Sequence, residues 1–329
     1  MASKLKSKCT NQALSALQND PLSFLHSCQE SVYNTSEPAV ADQAEQPCVV
    51  PLRGGNTGSI TASGEVFGKC HRLSLLRQLG HESELTVPTL LMFDGGYANE
   101  DYFVKALETV PGLNIKREEE APIKWETENG TPVTGRPDIV LCDDADNMVL
   151  GFELKQIVSI WTARTVALQN KPKNDHLVQA AHYSWQLGVP YYLLYTSRTY
   201  FHIPHAKWFH AEADGARMVE NKEGKPFRFN PFHKLFVLEW RGDELWISSD
   251  GLEPTKTVIT KSGIERYYNS VAEMKEHADL GPRPVNINVF GEPEKKGPCT
   301  WCDHAELCST EGLTLEQFIR STTDGSKAV

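Results

Sequence analysis

Three residues carry the chemistry that is easiest to name: Asp138 in "GRPDIVLC", and Glu153 and Lys155 in "MVLGFELKQIV". Fourteen residues separate the two acids, which is room for a short strand, a turn and the start of a second strand. Side chains alternate along a strand, so Glu153 and Lys155 share a face and the Leu154 side chain takes the other. If the two strands pair, Asp138 can stand beside Glu153. Adjacent carboxylates repel, and one takes up a proton unless a cation neutralises them. Mg2+ or Mn2+ suits such a pair, since both prefer oxygen ligands and leave room for water and a substrate phosphate. The metal would polarise a phosphodiester while the lysine orients or deprotonates the attacking water. The plainer alternative is a solvated Glu–Lys pair on a strand. Against it, the flanking runs "IVLC" and "MVLGF" have the composition of buried strands.

A second group is "GPCTWCDHAELC", in which Cys299, Cys302 and Cys308 form C-x2-C-x5-C. Three thiolates leave a tetrahedral ion or a cubane cluster one ligand short. Eight cysteines in 329 residues do not make a small disulfide scaffold, and clustered thiols suggest metal in a reducing, cytoplasmic setting. Cys142 continues a strand and reads as a core residue. Cys9, Cys28 and Cys48 lie in the N-terminal part and are assigned no metal role.

These residues need elements to hold them. "GEVFGKCHRLSLLRQLG" and "NEDYFVKALETV" have helical spacing, the second ended by Pro111-Gly112. "LNIKREEEAPIKWE", "GRPDIVLC" and "MVLGFELKQIV" read as strands, the last two joined by the turn-rich "DDADN". "NDHLVQAAHYSWQLG" is a helix with Asn174 or Asp175 as cap and Gly188 as stop. "PYYLLYTS" is a buried strand, "KLFVLEWRGDELWISSD" a hairpin about Arg241-Gly242-Asp243, and "GIERYYNSVAEMKEHA" a further helix. Alternating strands and helices indicate α/β architecture with a mixed sheet flanked by helices. Residues 1–59 read as a loosely structured extension with one weak helix near "NQALSALQNDPLSFLHS". Residues 60–310 read as the main domain and 311–329 as a C-terminal helix or tail.

In this order Asp138, Glu153 and Lys155 resemble the core of the PD-(D/E)xK, or restriction-endonuclease-like, nuclease superfamily. Two further pieces resemble its RecB-like exonuclease branch. "QAAHY" supplies Gln179 and Tyr183 as Q-x-x-x-Y on one helical face, and "FDGGYANEDYF" resembles the branch's first motif. That motif places Glu100 as the first acidic ligand, with Asn99 where many relatives have histidine. The resemblance implies that Glu100, Asp138 and Glu153 hold Mg2+ or Mn2+, with the Leu154 carbonyl as an extra ligand. Lys155 would then serve the water, and Gln179 and Tyr183 would contact DNA. The iron–sulfur members, CRISPR-associated and AddB-type nucleases, set one cysteine before the core and three after it. Cys70 matches the isolated one, so Cys70, Cys299, Cys302 and Cys308 are the implied ligands of a [4Fe–4S] cluster joining the N- and C-terminal parts. Zinc is the rival, with His71 or His304 able to replace a thiolate. The implied activity is exonucleolytic hydrolysis of single-stranded or frayed DNA ends, 5′→3′, in recombination, repair, or phage or CRISPR DNA processing. The alternatives are a nuclease-fold DNA-binding scaffold without catalysis and a site-specific endonuclease. Partners would be DNA, other DNA-processing subunits or further copies of the chain.

Composition narrows this further. A formal charge of −10 argues against coating nucleic acid by bulk electrostatics but not against a local groove. No apolar run reaches the length of a membrane span, and no secretory signal is expected. "GEVFGKC" lacks the spacing and the Ser/Thr of a Walker loop, so no nucleoside triphosphate is expected. "KREEE" and "DDAD" read as solvated charge. Arg164, Lys171, Lys173, Arg198 and Lys207 are candidate phosphate contacts. Tyr191, Tyr192, Tyr195, Tyr200 and Phe201 read as core, with one or two able to stack bases.

Overall fold

The computed structural model describes residues 12–25, 27–28, 58–60, 66–68, 87–117, 120–128, 130, 132–168, 170–197, 207–211, 217–220, 226–229, 233–249 and 252–277. Its centre is the β-branched and aromatic sequence between residues 139 and 197, which folds as strand, turn, strand, helices, strand. The strands are β1 (Gly58–Ile60), β2 (Val66–Gly68), β3 (Asn114–Arg117), β4 (Ile123–Glu126), β5 (Pro132–Gly135), β6 (Ile139–Cys142) and β7 (Met148–Ile157). They continue as β8 (Tyr191–Ser197), β9 (Lys207–Ala211), β10 (Arg217–Glu220), β11 (Pro226–Phe229), β12 (His233–Arg241), β13 (Glu244–Ser248) and β14 (Thr255–Thr260). The helices are α1 (Val87–Glu108), α2 (Ile160–Leu168), α3 (Asn174–Leu187) and α4 (Lys261–His277).

A seven-stranded sheet runs β14-β13-β12-β8-β7-β6-β3. Only β7 and β8 pair in parallel; the other neighbours are antiparallel, so the sheet is mixed, with helices on both faces. The parallel pair exists because a helical crossover, α2 and α3, returns the chain to the end of the sheet at which β7 began. β4–β5 is a separate hairpin, and β9, β10 and β11 form a small antiparallel sheet.

Alternation on β7 sorts the core into two halves. Phe152 and Leu154 face the side where Phe103, Val104 and Leu107 of α1 pack. Leu14, Leu17, Leu22 and Leu25, from helical residues 12–19 and 21–25, join them there. A stretch expected to be loosely held therefore contributes four leucines to the main core. On the other face Leu177, Val178, Ala181 and Tyr183 of α3 pack with Val166 of α2, Tyr267 of α4, and Leu193 and Tyr195 of β8. Burying each such side chain stabilises the fold by roughly 1.5–3 kcal/mol before the loss of chain entropy.

Local chemistry explains the joints. In the β6–β7 turn, the Asp143 carboxylate accepts the N–H groups of Ala145 and Asn147, both at 2.9 Å, and Asp146 adopts a positive φ. α3 begins after Lys173, which makes no side-chain cap, so neither Asn174 nor Asp175 is the cap residue. It ends as expected at Gly188, whose φ of 68° lets its N–H reach the carbonyls of Ser184 and Trp185. The Arg241-Gly242-Asp243 hairpin turn also starts α4: Asp243 accepts the Ser262 N–H at 3.0 Å and the Ser262 hydroxyl at 2.7 Å. Residues 66–68 form strand β2 rather than the expected helix, and α1 begins well before Asn99. Among the described residues no helix is long and apolar enough to cross a membrane.

Candidate functional site

The register of the sheet brings the two acids together. Ile139 opposes Phe152, so Asp138, one residue before β6, falls beside Glu153 on the face covered by α3. The Leu154 N–H donates to Asp138 Oδ2 at 2.6 Å, which ties the aspartate to the next strand. N–H and C=O of one strand residue project to the same side. The Leu154 carbonyl therefore points toward Asp138, past the place where β6 begins. Its side chain packs in the opposite half of the core.

Glu153 is wholly buried and forms an ion pair with Lys155, two residues on and on the same face. Its second oxygen, Oε2, has no hydrogen-bond partner. An unsatisfied oxygen on a buried carboxylate is costly, and the proton balance shows it. Burial, then the charge of Asp138, push Glu153 up to about 8, against the opposing pull of Lys155. Asp138 is raised for the same first reason, desolvation, offset by Lys155 and the Leu154 N–H. Burial alone would lower Lys155; the Glu153 and Asp138 carboxylates outweigh it and hold the ammonium above its ordinary range. The pocket thus contains more acid than one lysine can neutralise.

The helix α3 closes this pocket from above. Tyr183 is buried among Glu153, Asp138 and the Arg136 backbone, and Gln179 Nε2 donates to its hydroxyl at 3.4 Å. Burial raises the phenol strongly, so it stays protonated. Gly135, which the sequence reading did not single out, makes this approach possible: a Cβ there would overlap the Tyr183 ring. The only sequence signal for it is a glycine immediately ahead of Arg136-Pro137-Asp138.

α1 approaches from the other side of the sheet. Gly95 allows it close to β7, where a Cβ would lie 2.8 Å from Gln156 Oε1. Asn99 is buried and accepts the Thr196 hydroxyl at 3.0 Å, so it joins the helix to β8. Glu100 is the residue whose charge reaches Glu153, further raising it. Its carboxylate lies 3.7 Å from Arg117, which is also paired with Asp101. Glu100 thus sits at the rim and Asn99 is committed to packing.

Other expected participants are placed as follows. Lys173 is exposed beside the start of α3 and Lys171 is half-buried. The side chains of Arg164 and Lys207, and all of Arg198, Tyr200 and Phe201, lie outside the described residues. Tyr191, Tyr192 and Tyr195 are buried in the sheet and cannot stack a base. The Tyr191 hydroxyl donates to the Phe152 carbonyl at 3.2 Å, and the Tyr195 hydroxyl accepts the Lys173 N–H at 3.0 Å. Cys142 packs with Ala121 and Val140, as its strand position implies. Cys70, Cys299, Cys302 and Cys308, with His71 and His304, lie outside the described residues. Among the described residues, no three His, Cys, Asp or Glu side chains form a ready metal cluster.

No family model matches the chain, and no curated protein matches it.

Proposed function

We propose that the protein is a metal-dependent deoxyribonuclease with a restriction-endonuclease-like core, acting as an exonuclease on single-stranded or frayed DNA ends. The observation that supports this is the meeting of Asp138, Glu153 and Lys155 on one face of the sheet, with one Glu153 oxygen unsatisfied and Tyr183 and Gln179 above it.

The donor set fits a divalent cation. Asp138, the orphaned Glu153 oxygen and the Leu154 carbonyl are all hard oxygen ligands, and Glu100 stands at the rim as a third acid. A bound Mg2+ or Mn2+ would supply Lewis-acid polarisation of a phosphodiester and charge to offset the leaving oxygen. The chain's own residues do the rest. Asp138 is fixed by the Leu154 N–H and Glu153 by its burial, so both carboxylates are preorganised. Lys155 neutralises Glu153 and, once that carboxylate has another counter-charge, its ammonium is free to orient a water. Gln179, half-buried on α3, offers its amide to a strand lying along that helix, and Tyr183, buried and kept protonated, braces the amide through its hydroxyl. Gly135 removes the steric barrier beneath the tyrosine. The four cysteines Cys70, Cys299, Cys302 and Cys308 are assigned to a [4Fe–4S] cluster that staples the ends of the domain.

The experiment is hydrolysis of linear and circular single-stranded DNA with Mn2+, comparing the wild type with Lys155→Ala. Degraded linear DNA, intact circles and an inactive variant are expected. Cleaved circles would make it an endonuclease, and no cleavage by either protein would leave a binding scaffold.

A further inference from the structure

The tyrosines of β8 are buried; among the described residues, the exposed aromatic rings are on α1. Phe93 is 49% exposed and Tyr97 is 54% exposed, two of the few large apolar side chains so open to solvent among the described residues. Phe93, Tyr97 and Glu100 follow the i, i+4, i+7 spacing that places three side chains on one helical face. The two rings stand about 6 Å apart along the axis, and Glu100 lies one turn beyond Tyr97. An exposed aromatic step thus leads directly to the acid at the rim of the candidate site.

Gly96 lies between them. Unlike Gly95, it has no packing reason to lack a side chain: a Cβ at Gly96 would meet nothing within 4 Å. Glycine inside a helix costs about 1 kcal/mol relative to alanine. Here that cost leaves bare backbone beside two exposed rings, which allows a flat group to approach closely. The charges on this stretch indicate what the group is. Asp94, Glu100 and Asp101 are acidic neighbours on the same helix, Lys105 lies a turn further on, and Arg117 is paired with Asp101 and lies beside Glu100. An acidic surface does not attract a phosphate backbone, whereas an aromatic ring stacks on any base.

We propose that Phe93 and Tyr97 form a stacking step for bases of the strand whose phosphodiester enters the Asp138–Glu153 pocket. The inference rests on the nuclease reading and deepens it by separating the strand's two contacts. Bases are gripped by α1, and the reacting phosphate is held over β7.

The test uses the full chain carrying Lys155→Ala, so that bound DNA is not consumed. Its affinity for a ten-nucleotide oligothymidine is compared with that for an abasic strand of equal length and charge. The oligothymidine is expected to bind more tightly, by about 5- to 150-fold per ring if stacking has its usual strength. Adding Phe93→Ala and Tyr97→Ala should erase that difference while leaving abasic-strand binding as it was. Phe93→Trp with Tyr97→Phe should keep it. A 2-aminopurine base should be quenched on binding by the parent and not by the double alanine variant. The proposal is overturned if base preference survives both alanines, or if the parent shows none. It is also overturned if the alanines dissociate a dimer in sedimentation, because the rings would then cover a second copy. Absence of any hydrolysis by the wild type would defeat the nuclease reading alone, since the binding comparison needs no cleavage.

Discussion

On one face of β7, Phe152 and Leu154 lie in an apolar cluster with leucines and the Phe103 ring. On the other face, displaced by a single residue, Glu153 is wholly buried beside Tyr183, and Lys155 and Asp138 are half-buried. The strand and its two neighbours in the sheet are the same for both. What differs is the balance of desolvation. The apolar face gains from every side chain it buries. The polar face removes two carboxylates from water and satisfies only part of their hydrogen-bonding capacity. The polar face is therefore the one whose composition stability alone does not account for.

The largest effect expected from breaking this contrast is on activity. Lys155→Ala should lower DNA hydrolysis by about 10³-fold or more, the scale of losing both a positioning group and its charge at a reacting phosphate. The fold should survive, because Glu153, already pushed up to about 8, can take a proton when its partner is removed. Circular dichroism and single-turnover kinetics check the two halves of that statement.

The opposite face should respond in stability alone. Phe152→Ala removes a ring that is 1% exposed and packed edge-on against Tyr192 at 5.2 Å between centroids. The expected loss is about 3–5 kcal/mol in urea denaturation. If the folded variant lost catalysis in proportion to Lys155→Ala at low temperature, the two faces would not be independent.

A second buried polar group sharpens the comparison because it has no partner. His182 on α3 is fully buried against the rings of Tyr183, Trp185 and Tyr268, and neither ring nitrogen is hydrogen-bonded. Burial lowers it from its ordinary value to about 3. The folded state therefore cannot take the proton that the unfolded state accepts below about pH 6.5. Stability from this group is complete above that pH and is lost as pH falls toward 3, by about 1.4 kcal/mol per unit. His182→Phe keeps the aromatic packing, should stabilise the protein by about 1–3 kcal/mol at pH 7, and should flatten the acid limb of the stability curve. Thermal melts from pH 7 to pH 5 read both.

The polar face was also the part most legible in the sequence, for physical reasons. Glu153 and Lys155 sit on a strand with apolar flanks, so alternation places both on one side, and pairing of that strand with the neighbouring apolar run brings Asp138 to them. The Q-x-x-x-Y spacing put Gln179 and Tyr183 on one face of α3, and Gly188 marked its end. The α1 side was harder to read. Its Gly95-Gly96 pair argues against a helix by propensity, and only packing against β7 allows α1 to continue through it. The leucines of residues 12–25 show a weak period, and what they bury against lies over a hundred residues away on β6 and β7. The α3 start differs from the expected Asn174 or Asp175 cap because Lys173 begins the helix without a side-chain bond, so no capping residue type marks the place. The small sheet of β9, β10 and β11 has short strands whose pairing is set by neighbours rather than by composition.

The adjacent glycines of α1 give the smallest and most discriminating measurement. Gly95→Ala meets the end of a flexible side chain, Gln156 Oε1 at 2.8 Å, so the gain in helix propensity is set against a shift of that amide. Little net change in stability is expected. Gly96→Ala meets nothing and should stabilise the helix by about 0.5–1 kcal/mol. If the bare backbone at Gly96 serves a base lying between Phe93 and Tyr97, the same methyl group should weaken oligothymidine binding while it raises the melting temperature. A variant that gains stability and loses no affinity would mean that Gly96 is merely tolerated. The opposing movement of the two quantities would mean that the helix gives up stability there to leave room for a ligand.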